Sequence, residues 1–491
     1  MTYPSQSDLE NLRKQQSDML QGIYSKQPEM AKGITSSIEP VGYNLSPLVA
    51  CLEPMWEKYN IFVKKFPRVG PAQGMVGTKA QWWQINSVTN GMSSSYEGSL
   101  GSENTTITEL IEKSYKTTAL YDYVTYEAQA AGTGFMDAKG TSVIRALRKF
   151  RQKEEFKIIG GNINALTTPS TIAAVGGGNG YISAGSYSVK VSAVTAEMLQ
   201  CVAVNQNIGG LVLPPYLDAN GNAISGRYWG VGLPSSDTSV TVDTNAGSIA
   251  VSITPTPDAP AYAIFVKLST DSYYTLQAVT TYSLFTITNY YTLNSVAPTI
   301  EGSNDILSYD GLIPQIINSG NIFGSDNGYN QLTAAETGVA EINTVLQNIF
   351  NAYRVAATNI YVSGSLREVI TQANIKKGAV YNLIQTGELD DLTIGRITGT
   401  YIHPATGEPL AIQTHPYLPE GMVLITTERV DMPELGVNQL FEMHIGQDYF
   451  ERDVFQQNRR YPFEIFTYSV LGLRTPKYNA IIKNCAKGLS S

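Results

Sequence analysis

The order of apolar and polar positions divides the chain into stretches with helical spacing and stretches that alternate. Near the start, Leu9, Leu12, Met19, Leu20 and Ile23 keep helical spacing, and Ser7 with Glu10 has the separation of a capping box. The pattern predicts a short amphipathic helix that loosens into a Pro- and Gly-punctuated stretch over 26–47. Such a segment has too few apolar residues for a core of its own, so it is either an arm that docks elsewhere or a frayed terminus. Strands are predicted over 61–69 and 81–88, followed by a polar Ser/Gly-rich tract over 90–106 and a strand-like run over 107–124. Together these read as a hairpin with a loose tip, long enough to protrude as an arm. Helical spacing returns over 126–131 and 141–159, where Val143, Ile144, Leu147 and Phe150 form one stripe and Gly160-Gly161-Asn162 marks the end.

Within 169–306 the alternation is short and frequent. Runs over 187–194, 239–242, 248–253, 261–266 and 282–288 are rich in Thr, Val and Tyr, with turn signals such as Asp218-Ala219-Asn220-Gly221 among them. This pattern predicts an antiparallel β-sandwich. Beyond it, Thr333 as N-cap with Glu336 three residues on predicts a helix whose apolar face carries Ile342, Val345, Leu346, Ile349 and Phe350. A strand over 359–363, a helix over 365–373 and strand-rich segments over 392–402, 410–414, 422–427, 439–445 and 461–473 complete an α+β body.

Charge adds to this picture. The 491 residues carry 34 Lys+Arg against 42 Asp+Glu, a net charge of −8, and only 15% of positions are charged. The deficit is uneven: about 7% of residues 161–308 are charged, against about 19% of the rest. A step of that size marks a separate module, and because the flanks read continuously across it, the module is an insertion. The acidic total excludes a protein that coats nucleic acid over its whole surface, but it allows a local basic face. Arg145, Arg148, Lys149, Arg151, Lys153 and Lys157 on the helix over 141–159 are the candidates. They form either a solvated face balanced by Glu154 and Glu155 or a surface that meets a polyanion.

Catalytic chemistry has little to build on. Cys51, Cys201 and Cys485 are scattered, which leaves no disulfide framework or CxxC site. His403, His415 and His444 are the only histidines and none has metal-ligand spacing. No nucleophile elbow, phosphate loop or dinucleotide fingerprint is found. The run Gly176-Gly177-Gly178-Asn179-Gly180 lacks a following Lys and reads as a flexible loop. No stretch approaches the roughly 18 apolar residues of a membrane span, and no secretory h-region is seen. The expectation is a non-enzymatic protein without catalytic, cofactor or metal sites and without a membrane partner.

The element order supplies a resemblance. An arm, a hairpin and a long helix closing on Gly160-Gly161-Asn162 come first, then Ser308-Tyr309-Asp310-Gly311-Leu312-Ile313. The strand–helix unit Asn359-Ile360-Tyr361-Val362-Ser363-Gly364-Ser365 follows, and Leu471-Gly472-Leu473-Arg474-Thr475-Pro476 opens the closing run. This order resembles the major capsid proteins of tailed bacteriophages, which have the Hong Kong 97-type fold. Gly407-Glu408-Pro409-Leu410 and His415-Pro416-Tyr417-Leu418-Pro419-Glu420-Gly421-Met422 are similar to the axial-domain hairpins of that family. Ala184-Gly185-Ser186-Tyr187-Ser188-Val189-Lys190-Val191 and Ala259-Pro260-Ala261-Tyr262-Ala263-Ile264-Phe265 resemble strands of immunoglobulin-like and fibronectin-III-like modules, without the antibody Cys pair.

The resemblance covers most of 40–168 and 306–488, and it implies a division of the chain. The N-terminal arm would span 1–60 and the extended hairpin region 61–125, with 68–112 lying across a neighbouring subunit. The peripheral domain would occupy 126–168, including a spine helix over 137–160, and continue at 307–354. The axial domain would span 355–440 and the C-terminal return 441–491, with the sandwich inserted at 169–306 on the exterior. The implied function is a structural virion protein assembling with itself into hexamers and pentamers of an icosahedral shell around double-stranded DNA. It would be made in the host cytoplasm, use no cofactor, and have portal, scaffolding and decoration proteins as further partners. Two other readings carry different expectations. One is a tail or baseplate component with an immunoglobulin-like module. The other is a carbohydrate-active enzyme whose sandwich stacks sugars on Tyr228, Trp229, Tyr273 and Tyr274.

Overall fold

The computed structural model describes residues 60–70, 77–88, 97–98, 106–132, 137–169, 172–218, 221–319, 325–326, 328–335, 338–376, 400–430, 439–454 and 459–490. The predicted N-terminal helix, most of the hairpin tip and the strand expected over 392–399 lie outside these residues. The described chain is mixed α+β with several sheets, and it divides into two compact units.

One unit comprises Thr117–Glu154 and Gln447–Tyr468. Strands Phe441–Asp453, Arg460–Leu473 and Lys116–Thr125 are neighbours in that order. Helices Tyr126–Gly132 and Ala138–Gly160 share a core with them, built from Val124, Ala128, Ala138, Ala146, Phe150, Phe463 and Ile465. Ile144, expected in the buried stripe, is 53% exposed. At 100° per residue it sits about 120° around the helix from Phe150, whereas buried Ala146 lies about 40° from it.

The other unit comprises Ile61–Lys116, Glu155–Gly446 and Ser469–Ser491. The strand expected over 61–69 is instead a helix, Ile61–Lys65, followed by a two-residue strand at Arg68–Val69. The predicted hairpin is present: Lys79–Val88 pairs antiparallel with Thr106–Ser114, with Lys79 opposite Ser114 and an irregularity between Ile85 and Ser87. A six-stranded sheet runs Ser325–Asp326, Ala480–Lys483, Val423–Thr426, Asn359–Val362, Pro409–Thr414, Thr400–Ile402. Helices Ala340–Tyr353 and Gly364–Lys376 share its core through Ile342, Leu346, Leu366 and Ile370, with Ile360, Val362 and Ile482 from the strands. The helix expected to begin at Thr333 starts at Ala340, and Gln331–Ala335 is a strand parallel to Ala486–Ser490. The Thr333 N–H donates to the Glu341 carboxylate at 3.0 and 3.1 Å, so Thr333 is bound by the helix rather than opening it.

Strands between 172 and 287 form a two-sheet sandwich. Thr238–Val242, Gly185–Val194, Ala261–Leu268 and Thr275–Thr280 pair in that order, with Val231–Pro234 also on Gly185–Val194. Leu284–Ile287, Gly247–Ile253 and Ile172–Ile182 form the second sheet. Val189, Val191, Tyr262 and Ile264 meet Ile249 and Val251 in the core between the sheets. The other face of the larger sheet is also covered, Ala263 and Phe265 packing with Leu199, Leu211 and Val231. Strand Thr275–Thr280 is buried along its whole length, and its polar Gln277 is satisfied inside the protein by Thr275 and the Tyr291 carbonyl oxygen.

The glycine run expected as a loop lies inside strand Ile172–Ile182. A Cβ on Gly176 would stand 2.0 Å from the Thr241 carbonyl oxygen, and one on Gly180 would stand 2.0 Å from that of Gly247. Two backbones approach too closely there for any side chain, whereas Gly178 faces open space. Gly180→Ala should therefore destabilise the protein by about 2–3 kcal/mol, while Gly178→Ala should cost less than about 1 kcal/mol, as read by urea unfolding.

Candidate polyanion-facing helix

Helix Ala138–Gly160 has 23 residues, and its ending is set by packing. A Cβ on Gly160 would lie 2.6 Å from Ala196 Cβ, and one on Gly161 would lie 2.5 Å from the Tyr309 carbonyl oxygen. The glycines let the chain cross at close range. Gly161 N–H still closes the last turn on Lys157 O at 3.0 Å.

The six expected cations separate into different environments. Arg145, Arg148 and Lys149 are half-buried and share one face by their i, i+3, i+4 spacing, turned away from Phe150. Burial raises the Asp122 pKa, while hydrogen bonds from Tyr123 N–H and Ser142 Oγ and the nearby Lys149 charge pull it down. Arg151 stands over the Tyr449 ring at 5.4 Å, and Lys153 is exposed. Lys157 is buried, its ammonium 5.7 Å from the centre of the Tyr309 ring. Arg145, Arg148 and Lys149 thus form the coherent face, and Lys157 is turned into the interior.

Glu154 and Glu155, expected to balance those charges at the surface, are both buried. Glu154 accepts a hydrogen bond from Tyr449 Oη. The Glu155 carboxylate accepts the N–H groups of Phe62 and Val63, each at 2.8 Å, and so caps helix Ile61–Lys65. His415 Nε2 lies 2.8 Å from the same carboxylate, while His415 Nδ1 accepts the Tyr417 N–H at 3.3 Å. An accepting Nδ1 places the ring proton on Nε2, which then donates to Glu155. Phe62 stacks on the His415 ring at 4.7 Å. This network was invisible in the sequence, because a carboxylate next to lysines carries no sign of partners 93 and 260 positions away.

The other candidate residues also have structural surroundings. His403 Nδ1 accepts the N–H groups of Ala405 and Thr406 in a turn, and His444 stacks on Trp82 at 5.0 Å. Two ammonium groups cover the Tyr274 ring, Lys190 at 4.6 Å and Lys267 at 5.1 Å, so it is no open platform for a sugar. Tyr273 is exposed, while Tyr228 and Trp229 are half-buried. Among the described residues no three His, Cys, Asp or Glu gather as for a metal, and no helix is long and apolar enough to cross a membrane.

On the hairpin, Trp83 sits directly opposite Leu110, and the two are 58% and 43% exposed. On the neighbouring strand positions, Trp82 and Ile111 line a cleft of about 410 Å³ together with Lys113, Tyr309, Asp310 and Leu471. Lys113 and Asp310 face each other across it at 3.6 Å.

No family model matches the sequence, and no curated protein does. Solved structures align over most of its length at low identity. The cyanophage A-1(L) capsid asymmetric unit is 10% identical, over 87% of this chain and 93% of that one, with a TM-score of 0.38. A protein of Mycobacterium phage Bobi is 8% identical, over 87% and 90%, with a TM-score of 0.36. The virus-like particle from Pyrococcus furiosus is 8% identical, over 88% and 98%, with a TM-score of 0.29. Superpositions this loose carry no functional weight.

The end of the long helix yields a pH dependence. Part of Glu197 is accessible as a residue, but its carboxyl group is enclosed by protein. Burial pushes that carboxyl up to about 7, with Lys157 opposing the shift and Asp305 adding to it. The folded protein then holds the proton up to about pH 7, whereas the unfolded chain releases it near 4.5. The contribution favours folding at acid pH and is lost as pH rises through 7. Between about pH 5 and about pH 8, urea unfolding should show the native protein losing roughly 2–3 kcal/mol more than Glu197→Gln. Equal losses would count against an enclosed carboxyl.

Proposed function

We propose that this chain is the major capsid protein of a tailed bacteriophage, a non-catalytic shell subunit with the Hong Kong 97-type fold. The carrying observation is the hairpin Lys79–Val88/Thr106–Ser114, whose Trp83–Leu110 pair turns apolar surface outward. An apolar pair on a two-stranded arm gains burial only from another surface, and in a self-assembling shell a neighbouring subunit supplies it. The sequence of hairpin, long helix, strand–helix unit and a six-stranded sheet that takes in the late strand Ala480–Lys483 agrees with that reading.

Hexamers and pentamers closing into an icosahedral head are the assembly proposed. The inserted sandwich is read as immunoglobulin-like and outward-facing. Five of its paired strands support the former, with Ile172–Ile182 taken as strand B, Gly185–Val194 as C, Gly247–Ile253 as E, Ala261–Leu268 as F and Thr275–Thr280 as G. The pairings B–E, C–F and F–G then follow the immunoglobulin order. The order departs in lacking a strand before B and in adding Leu284–Ile287 beside E.

The face formed by Arg145, Arg148 and Lys149 is proposed to meet packaged double-stranded DNA through phosphate contacts without reading sequence. Electron microscopy of the expressed full chain tests the class: closed shells or hexamers and pentamers are expected, and rings or fibres would instead favour a tail component. The triple variant Arg145→Gln/Arg148→Gln/Lys149→Gln should still form shells but retain less DNA. The salt slope of duplex binding should fall by about 3. Unchanged DNA content in that variant would remove this face from the proposal.

A further inference from the structure

The inserted sandwich does not form a compact unit of its own; it belongs to the same unit as the six-stranded sheet. Two joints connect them. At the first, the Lys483 side chain leaves Ala480–Lys483, the last strand of the sheet in chain order, and enters the loop before sandwich strand Ala261–Leu268. Its ammonium donates to the carbonyl oxygens of Thr256, Pro257 at 3.0 Å and Ala259 at 3.2 Å. Three acceptors match the three protons of the group, and the residue is only 8% exposed. The loop is itself held, since Asp258 accepts the Thr167 N–H at 2.6 Å and Tyr262 Oη accepts the Thr256 N–H at 2.9 Å.

At the second joint, Asn205 adopts the left-handed backbone conformation, with φ 58°. Its Oδ1 accepts Thr280 Oγ1 and the Thr281 N–H, each at 2.9 Å. Its Nδ2 donates to Glu420, in the turn before sheet strand Val423–Thr426, at 2.9 Å. Beside it, Tyr282 of the sandwich packs on Tyr329, with ring centres 4.9 Å apart. A Cβ on Gly421 would meet Cys485 O at 2.8 Å and the Tyr282 ring at 3.2 Å, so the glycine admits both.

We infer that the inserted sandwich is a brace for the six-stranded sheet, with the Lys483 ammonium as its principal joint and Asn205–Glu420 as the second. The physical reason is the burial of charge. An ammonium away from water is tolerated only when acceptors surround it, and here the insert supplies them. The sheet therefore depends on the sandwich to satisfy one of its own strands. A projecting module that only carried a binding surface would need no such dependence. The inference is independent of the capsid reading, since both joints lie within one chain.

Hydrogen exchange by mass spectrometry on the full chain tests it. Lys483→Met keeps the length of the side chain and removes the donor. Exchange is expected to rise by at least about tenfold in peptides from both the 256–262 loop and the 480–486 strand, which corresponds to about 1.4 kcal/mol. Asn205→Gly keeps the left-handed backbone accessible and removes the bond to Glu420 together with those to Thr280 and Thr281, so the 420–426 side is the decisive one. It should raise exchange in 279–283 and 420–426 together, and it decides the question if Lys483→Met does not fold. Thermal unfolding of the native chain should show sandwich and sheet melting together. The brace is overturned if exchange changes on one side of each joint only, or if the sandwich melts apart from the sheet.

Discussion

Glu155 carries a carboxylate into a site without solvent exposure, where an ionised group is tolerated only if donors surround it. Two backbone N–H groups and the His415 imidazole meet that demand, each at 2.8 Å. One side chain thereby ties the last turns of the long helix, from Glu155 onward, to the start of helix Ile61–Lys65 and the turn after strand Pro409–Thr414. The stack of Phe62 on His415, the edge contact of Tyr361 with Phe62 at 4.8 Å and the Lys65–Glu428 ion pair at 2.6 Å gather around it. Removing the carboxylate would orphan donors on separate segments at once, so these contacts stand or fall together.

The same demand for satisfied polar groups shapes the inserted module. With few charges of its own, the sandwich buries one sheet on both faces and reaches the sheet of its unit through backbone carbonyls that accept from Lys483. Glycine serves close approach in both places. Gly176 and Gly180 admit a neighbouring strand, and Gly160 and Gly161 let the long helix pass into the insert against Ala196 and Tyr309. At these four positions glycine is a requirement of close backbone packing and not a mark of flexibility.

Much of the fold was legible where one periodicity dominates. The strands at Gly185–Val194, Gly247–Ile253 and Ala261–Leu268, the hairpin and the helix Ala138–Gly160 all follow from local spacing. Errors arose where a distant partner outweighed local preference. The 61–65 segment reads as a strand until Glu155 supplies acceptors for its first amides, and Thr333 reads as a cap until Ala486–Ser490 claims its segment as a strand. Of the candidate face, the spacing of Arg145, Arg148 and Lys149 was legible. The burial of Lys157 beneath Tyr309 was not, because it depends on a residue 152 positions later.

By itself the sequence determined which segments alternate, which repeat at helical spacing, and that charge is scarce over 161–308. These are properties of neighbouring residues, and neighbours set periodicity. Only the tertiary structure decided which carboxylates are buried, which lysine turns inward and which glycines are required. Each of those depends on a donor, acceptor or backbone brought close from a distant part of the chain. Local preference is worth tenths of a kcal/mol per residue, whereas a buried group left without its partner costs about 1–3 kcal/mol, so the distant partner wins.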